Sequence, residues 1–513
     1  MRRFFIIVMT LIALTIFIFG AGKPQYGGTL IIALDSDPNG GFDPRLSTSA
    51  AEARVMQLVF GGGLFIREKD MSLRPFVAES YEMPDNKTFV FHLKKGIKFH
   101  NGMELTAEDV AYTYNSILDP KLKSPKKSGL SNLEKVEVVD KYTVKFVLKK
   151  PDAWFAQWNL TMGIVPKAVA EKDPNFAFNP VGYGPFKFVR YEPGNQVVLE
   201  ANEDYFEGRP YLDKVVLRII PDPTTRFAEI KAGTVDLVQN GISDEDLPLL
   251  EKDKNLVVVK EPGVIIRYIA FNFKNPYLSN KLVRQAIAYA LDVKTIISEV
   301  FKGNAQWANS VLAPMIKDYN PAARWYHYDP ELSKWLLDLA GYPDPDGDGP
   351  KKRFTVTYKC TTDPTSYMMA QIVQQYLADV GIDVKIEQYE WATFYAQAKK
   401  GEFDMYSLQW VGIDSPAIYR YIFHSNSVPP NGANRGFYIN PEIDKLIEEG
   451  EVTMDPDKRK EIYAKLQEIV GDDAPYVHIC WFLNHVVMSK KVHGFVLYPA
   501  GDFASIAKVW KEK

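Results

Sequence analysis

Between residues 354 and 409 the apolar pattern changes period repeatedly. Residues 354–358 (FTVTY) alternate and 367–380 (YMMAQIVQQYLADV) recur at helical spacing. Residues 384–388 (VKIEQ) alternate again, 392–399 (ATFYAQAK) return to helical spacing, and 403–409 (FDMYSLQ) form another strand-like run. A period of two marks a strand with two unlike faces, and a period of 3.6 marks a helix. Strand and helix in strict alternation predict an α/β unit with a partly parallel sheet. Such sheets bind ligands where loops converge at the carboxyl ends of their strands. The loop 410–416 (WVGIDSP) sits at such an end.

The first half of the chain reads differently. Residues 96–118 (GIKFHNGMELTAEDVAYTYNSIL) follow an alternating run, 89–94, that Gly96 ends. His100, Asn101 and Gly102 have turn chemistry. Thr106 and Asp109 then form a capping box, and Val110, Tyr114 and Ile117 recur at helical spacing. A lone histidine in the turn is expected to bond a nearby backbone group. Residues 133–140 and 142–148 are two more strands, and 51–64 is a helix ending in Gly61, Gly62 and Gly63.

At 513 residues the chain is too long for one core, so at least two lobes are expected. The net charge of −3 argues against nucleic acid as a partner. Arg2 and Arg3 precede an apolar run, 4–19, and the small residues Gly20, Ala21 and Gly22, which reads as a secretory signal over 1–22. No cysteine follows that run, so a lipoprotein anchor is not expected. The mature chain should lie outside the cytoplasm, where Cys360 and Cys480 are either a disulfide or two buried thiols.

Six segments resemble, in order and spacing, the extracytoplasmic solute-binding proteins of ABC importers, family 5, the peptide/nickel-binding class. They are 73–80 (LRPFVAES), 96–118, 181–186 (VGYGPF), 268–291 (YIAFNFKNPYLSNKLVRQAIAYAL), 329–342 (ending LLDLAGY) and 440–448 (NPEIDKLIE). The resemblance implies a two-lobe, clam-shell periplasmic-binding-protein fold, type II-like, with an extra subdomain in lobe one. Lobe one would span 23–265 with the subdomain at about 50–180, and lobe two 266–487. Residues 488–513 would return to lobe one. It also implies a monomeric receptor without catalysis. The receptor would hand its ligand to a membrane permease driven by ATPase subunits. Peptide is the favoured ligand, an oligosaccharide the alternative, and a nickel chelate a third option.

Candidate ligand contacts follow. Trp410 offers a stacking face, and Gly412 allows close backbone approach. Peptide receptors of this family carry a Trp in a similar loop, then an Asp for the ligand's α-ammonium. Here Ile413 falls where that Asp is expected, and Asp414 matches a later acidic position, where it serves either as a turn cap or as a ligand contact. Tyr389, Trp391 and Tyr367 fall where the family lines its cleft. Arg435 suits a carboxylate. Ser47, Thr48 and Ser49 offer hydroxyls from lobe one, and Tyr183 lies in a Gly-rich turn. Asp344, Asp346 and Asp348 resemble the first half of a calcium loop. Thr355 replaces its closing Glu, so structural calcium and a plain acidic turn both stand. No other cofactor is expected. A hydrolase using Asp404 and Asp414 as acid and base is the reading from another class, although no nucleophile motif accompanies them.

Overall fold

The computed structural model describes residues 23–347 and 349–513. The signal reading over 1–22 and Asp348 lie outside the described residues.

Two long antiparallel strands form the spine, Leu256–Phe271 and Tyr476–Ser489, paired from Leu256 opposite Ser489 to Ala270 opposite Tyr476. Both are largely apolar on two faces, as expected of strands in the middle of a large sheet. Their register shifts between Pro262 and Ile266. Proline brings no N–H to the ladder there. At Gly263 a Cβ would lie 3.0 Å from the Phe482 carbonyl oxygen. The sequence Pro262-Gly263 thus sets a bend halfway along the spine.

One 11-stranded sheet continues through the bend, its short strand Ala305–Trp307 pairing with Tyr476–Ser489 off the main path. On one side Tyr476–Ser489 pairs with Leu237–Gln239, followed outward by Thr29–Leu34, Lys214–Ile219, Gln196–Ala201 and Phe186–Glu192. On the other side Leu256–Phe271 pairs with Met405–Trp410, then Phe354–Thr361 and Ile382–Tyr389. Phe354–Thr361 runs parallel to both neighbours, with the helix Pro364–Asp379 crossing over. The sheet therefore divides into two lobes at the bend. Strand ends converge on it: Trp410 pairs with Ile266, and Gln239 with Val486.

The capped segment builds a second, four-stranded antiparallel sheet: Ala78–Asp85, Thr88–Leu93, Thr143–Leu148 and Leu133–Asp140. Helix Ala107–Leu118 covers it with Val110, Tyr114 and Ile117, each 0% exposed. Asp109 accepts the Thr106 N–H at 2.9 Å, as the capping box requires. His100 Nε2 bonds the Gly184 carbonyl at 3.1 Å, a structural role. The C-terminal residues Val492, Leu497, Phe503, Ile506 and Val509 join the core of lobe one.

Two expectations change, and one open alternative is resolved. The helix expected over 51–64 stops at Val59, because Gly61 takes a φ of +78°. Cys360 and Cys480 are both free and buried. Tyr183 is not at a ligand surface but 0% exposed. Its hydroxyl donates to the Gly62 carbonyl and accepts the Ile164 N–H. The adjacent glycines exist for packing: a Cβ on Gly182 would lie 2.0 Å from the Val59 carbonyl oxygen.

Candidate functional site

At the bend a crevice of about 340 Å³ opens between the lobes. Ser243 and Asp244 line it from lobe one, Asn304 and Gln409 from lobe two, and Phe482 and His485 from the spine strand. Burial pushes the His485 imidazole down to about 4, with Lys260 adding to the shift. It is therefore neutral at physiological pH.

The expected loop leaves strand Met405–Trp410 on the other face of the sheet. Strand alternation sends Tyr268, Tyr406 and Trp410 to one side, and Ile269, Phe271 and Met405 to the other. Trp410 stacks on Tyr268 at 5.9 Å, and Tyr268 on Tyr476 at 4.1 Å. Arg435, expected to meet a ligand carboxylate, is instead buried among rings. It is 4% exposed, its guanidinium 5.0 Å from the Trp410 ring centre and 5.1 Å from that of Tyr395. It also donates to the Tyr395 hydroxyl at 3.1 Å. Two π faces and a hydroxyl thus compensate its burial. Trp391, 56% exposed, continues this column by stacking on Tyr395 at 5.2 Å. Gly412 has a φ of +71° with open space around it, so only glycine is comfortable there.

Asp414 is engaged across the lobes. Arg67, from the short strand Phe65–Arg67 of lobe one, pairs with its carboxylate. Beside it, Trp158 Nε1 donates to Ser415 Oγ at 2.7 Å. Burial pushes the Asp414 carboxyl up, while Arg67, Ser415 and Trp158 oppose the shift. Neither a turn cap nor an open ammonium site describes this residue; it already has an internal cation. Nearby, Trp154 Nε1 donates to the Tyr463 hydroxyl at 3.2 Å, and Arg459 lies 4.7 Å from the Trp154 ring centre. Nothing in the local sequence around Arg67, Trp154 or Trp158 marked them as partners of lobe two.

The remaining candidates are spread out. Tyr389 donates to Glu387 at 3.0 Å and lies under Lys359. Tyr367 sits half-buried in helix Pro364–Asp379, against the lobe-two core. Ser49 caps helix Ala50–Val59 by accepting the Glu52 N–H at 3.2 Å. Against burial, hydrogen bonds from Ser47, Ser49, Thr48 and Gly40 hold the Glu52 carboxyl below its usual range. Ser47 and Ser49 therefore serve the cap, and Thr48 alone of the three is exposed. Asp344 accepts the Asp346 N–H at 3.2 Å and stands 4.0 Å from Arg353. Among the described residues no cluster of three His, Cys, Asp or Glu could hold a metal ion.

The acid–base pair of the hydrolase reading fails on geometry. Asp404 and Asp414 flank opposite ends of strand Met405–Trp410, roughly 20 Å of chain at a strand's rise. Paired glycosidase carboxylates stand about 5–10 Å apart. Asp404 is also occupied, accepting the Thr357 N–H and the Asn275 amide, each at 2.8 Å.

Residues 72–429 match the family described as bacterial extracellular solute-binding proteins, family 5 Middle. The oligopeptide-binding protein AppA of Bacillus subtilis is 32% identical, over 96% of this chain and 93% of the relative. The structure of that AppA with a nonapeptide aligns with a TM-score of 0.75 at 31% identity, covering 96% of this chain and all of that one. Helicobacter pylori DppA in complex with the peptide STSA gives 0.75 at 31% identity, covering 96% of this chain and 99% of that one. These relatives are substrate-binding proteins of ABC transporters, not enzymes. The chain belongs to the family 5 extracellular solute-binding proteins, with their two-lobe fold.

Proposed function

We propose that this receptor captures a peptide between its lobes and delivers it to an ABC permease. The observation that carries the reading is the crevice at the bend. It is lined by both lobes, so a ligand filling it touches both only when they approach, and binding then biases their arrangement. Its walls carry the side-chain amides of Asn304 and Gln409, beside Asn240 and Asn484, which bond each other. Amides present donors and acceptors together, which suits a peptide backbone. AppA and DppA, whose structures hold peptides, support the same class. Export by the segment 1–22 and action as a monomer complete the proposal.

An oligosaccharide is the second reading, carried by the exposed Trp391 face stacked on Tyr395. Thermal denaturation of residues 23–513 with di- to nonapeptides, oligosaccharides and nickel–histidine chelates separates the readings. Peptides are expected to raise the melting temperature. A response to sugars or chelates alone, with every peptide silent, overturns the peptide assignment.

A further inference from the structure

Five arginines are buried among the described residues, and four have their charge answered. Arg45 pairs with Asp43 at 2.7 Å. Arg226 donates to the carbonyls of Ile220, Pro221 and Gly241. Arg284 donates to those of Leu278, Ser279 and Asp473, and Arg435 lies between two rings. Arg267, 8% exposed, is the exception. Among the described residues its side chain has no ion pair or hydrogen bond, and its Nε is buried without a partner. A largely buried guanidinium without an acceptor is costly, so an acceptor is expected from elsewhere.

Its position says where that acceptor comes from. Arg267 stands opposite Gln409 on one neighbouring strand and Cys480 on the other. Alternation puts it on the same face as Ile265; Ile265 and Gln409 line the crevice, and Arg267 is adjacent to that lining rather than part of it. Its guanidinium is 5.9 Å from the Phe301 ring centre. Phe301 packs edge-on at 5.1 Å against Phe482, which also lines the crevice. The Tyr358 hydroxyl, 0% exposed, is a second buried polar group within the electrostatic reach of Arg267, with Ser407 beside it.

We propose that Arg267 anchors a carboxylate of the ligand at the lobe-two wall of the crevice. A guanidinium fork matches a carboxylate in two parallel hydrogen bonds. The anchoring end of the ligand is then its acid. Asp414 is already neutralised by Arg67, so a free ammonium gains nothing there. The inference takes the ligand's source from the peptide reading, but its chemistry stands apart from that reading.

The test uses residues 23–513 and one peptide that binds, prepared with its N-terminus free or acetylated and its C-terminus free or amidated. C-terminal amidation is expected to weaken binding at least ~30-fold, as for loss of a charge-assisted bond to a buried group. N-acetylation is expected to change it less than ~3-fold. In Arg267→Gln the acid and the amide should bind alike, while Arg267→Lys should keep part of the preference, which a merely structural role would not reproduce. Should Arg267→Gln not fold, the wild-type acid-to-amide ratio and Arg267→Lys decide. A wild-type ratio near one, or a preference that survives in Arg267→Gln, overturns the proposal. If no peptide binds, acetate, acetamide and phosphate are compared by thermal shift. Acetate stabilising the wild type beyond acetamide, and not Arg267→Gln (or Arg267→Lys less), keeps this proposal while the peptide reading fails. Equal effects of acetate and acetamide, or a response to phosphate alone, sink it.

Discussion

Desolvation holds three histidines in the neutral form. Burial pushes His100 down to about 4, His478 to about 3 and His485 to about 4. Each folded value lies below the ordinary histidine range, so the unfolded chain takes up protons first. The stability they contribute is complete above about pH 6.5 and is lost as pH falls toward the folded values. Within that window each site contributes a slope of about 1.4 kcal/mol per pH unit. His478 Nε2 has no hydrogen-bond partner, so His478→Leu leaves no partner stranded. Urea unfolding at pH 7.5 and 4.5 should show a smaller acid loss in His478→Leu than in wild type; equal losses would refute the assignment. The Arg67–Asp414 pair is tested by its coupling. Side chains 18% and 15% exposed should give a favourable coupling of roughly 1–3 kcal/mol in a double-mutant cycle with Arg67→Leu and Asp414→Asn. A coupling near zero would mean that Asp414 is free for ligand.

At the level of elements, local patterns in the sequence carried far. The capping box Thr106–Asp109 does start a helix, Ala107–Leu118, and the alternating runs of 354–409 do form parallel strands. What escaped was non-local. VGYGPF reads as a loop that presents a tyrosine, yet its glycines let that segment approach helix Ala50–Val59, and Tyr183 fills the core behind them. Spacing along a chain carries no record of a backbone passing 2.0 Å from an added Cβ. Gly182→Ala should therefore cost about 4 kcal/mol or more, since backbone rather than a flexible side chain must yield, and soluble yield together with urea unfolding reads it. Trp154 and Arg67 escaped for the same reason, because their partners Tyr463 and Asp414 are hundreds of residues away. Trp154 is 8% exposed. Trp154→Ala is expected to cost about 3–5 kcal/mol, and the loss should shrink in a Tyr463→Phe background by the value of the indole–hydroxyl bond. Additive losses would show that the bond contributes nothing.

Across the whole molecule, the question is whether two lobes on one sheet behave as one thermodynamic unit. The sheet is continuous through the spine strands, and the contacts of Arg67, Trp154 and Trp158 tie the subdomain side to lobe two. These links argue for a single cooperative transition, whereas the interruption at Pro262-Gly263 argues for two. Ligand-induced stabilisation distinguishes them by size. At a hundred times its dissociation constant a ligand adds about 2.7 kcal/mol. Unfolding entropy near 60 °C is about 2.1 cal/mol/K per residue. For roughly 490 residues unfolding together, that is about 1 kcal/mol/K, so the melting temperature should rise by only about 3 °C. If one lobe of roughly half that size melted alone, the same ligand would raise its transition by about 5 °C and leave the other lobe's transition in place. The pairing of Leu256–Phe271 with Tyr476–Ser489 covers both sides of the bend, so neither lobe can lose its spine strands without stripping the other's sheet of its neighbours. A single calorimetric transition with the smaller shift is the expected result. Two resolved transitions, only one moved by ligand, would mean that the bend uncouples the lobes despite the unbroken sheet.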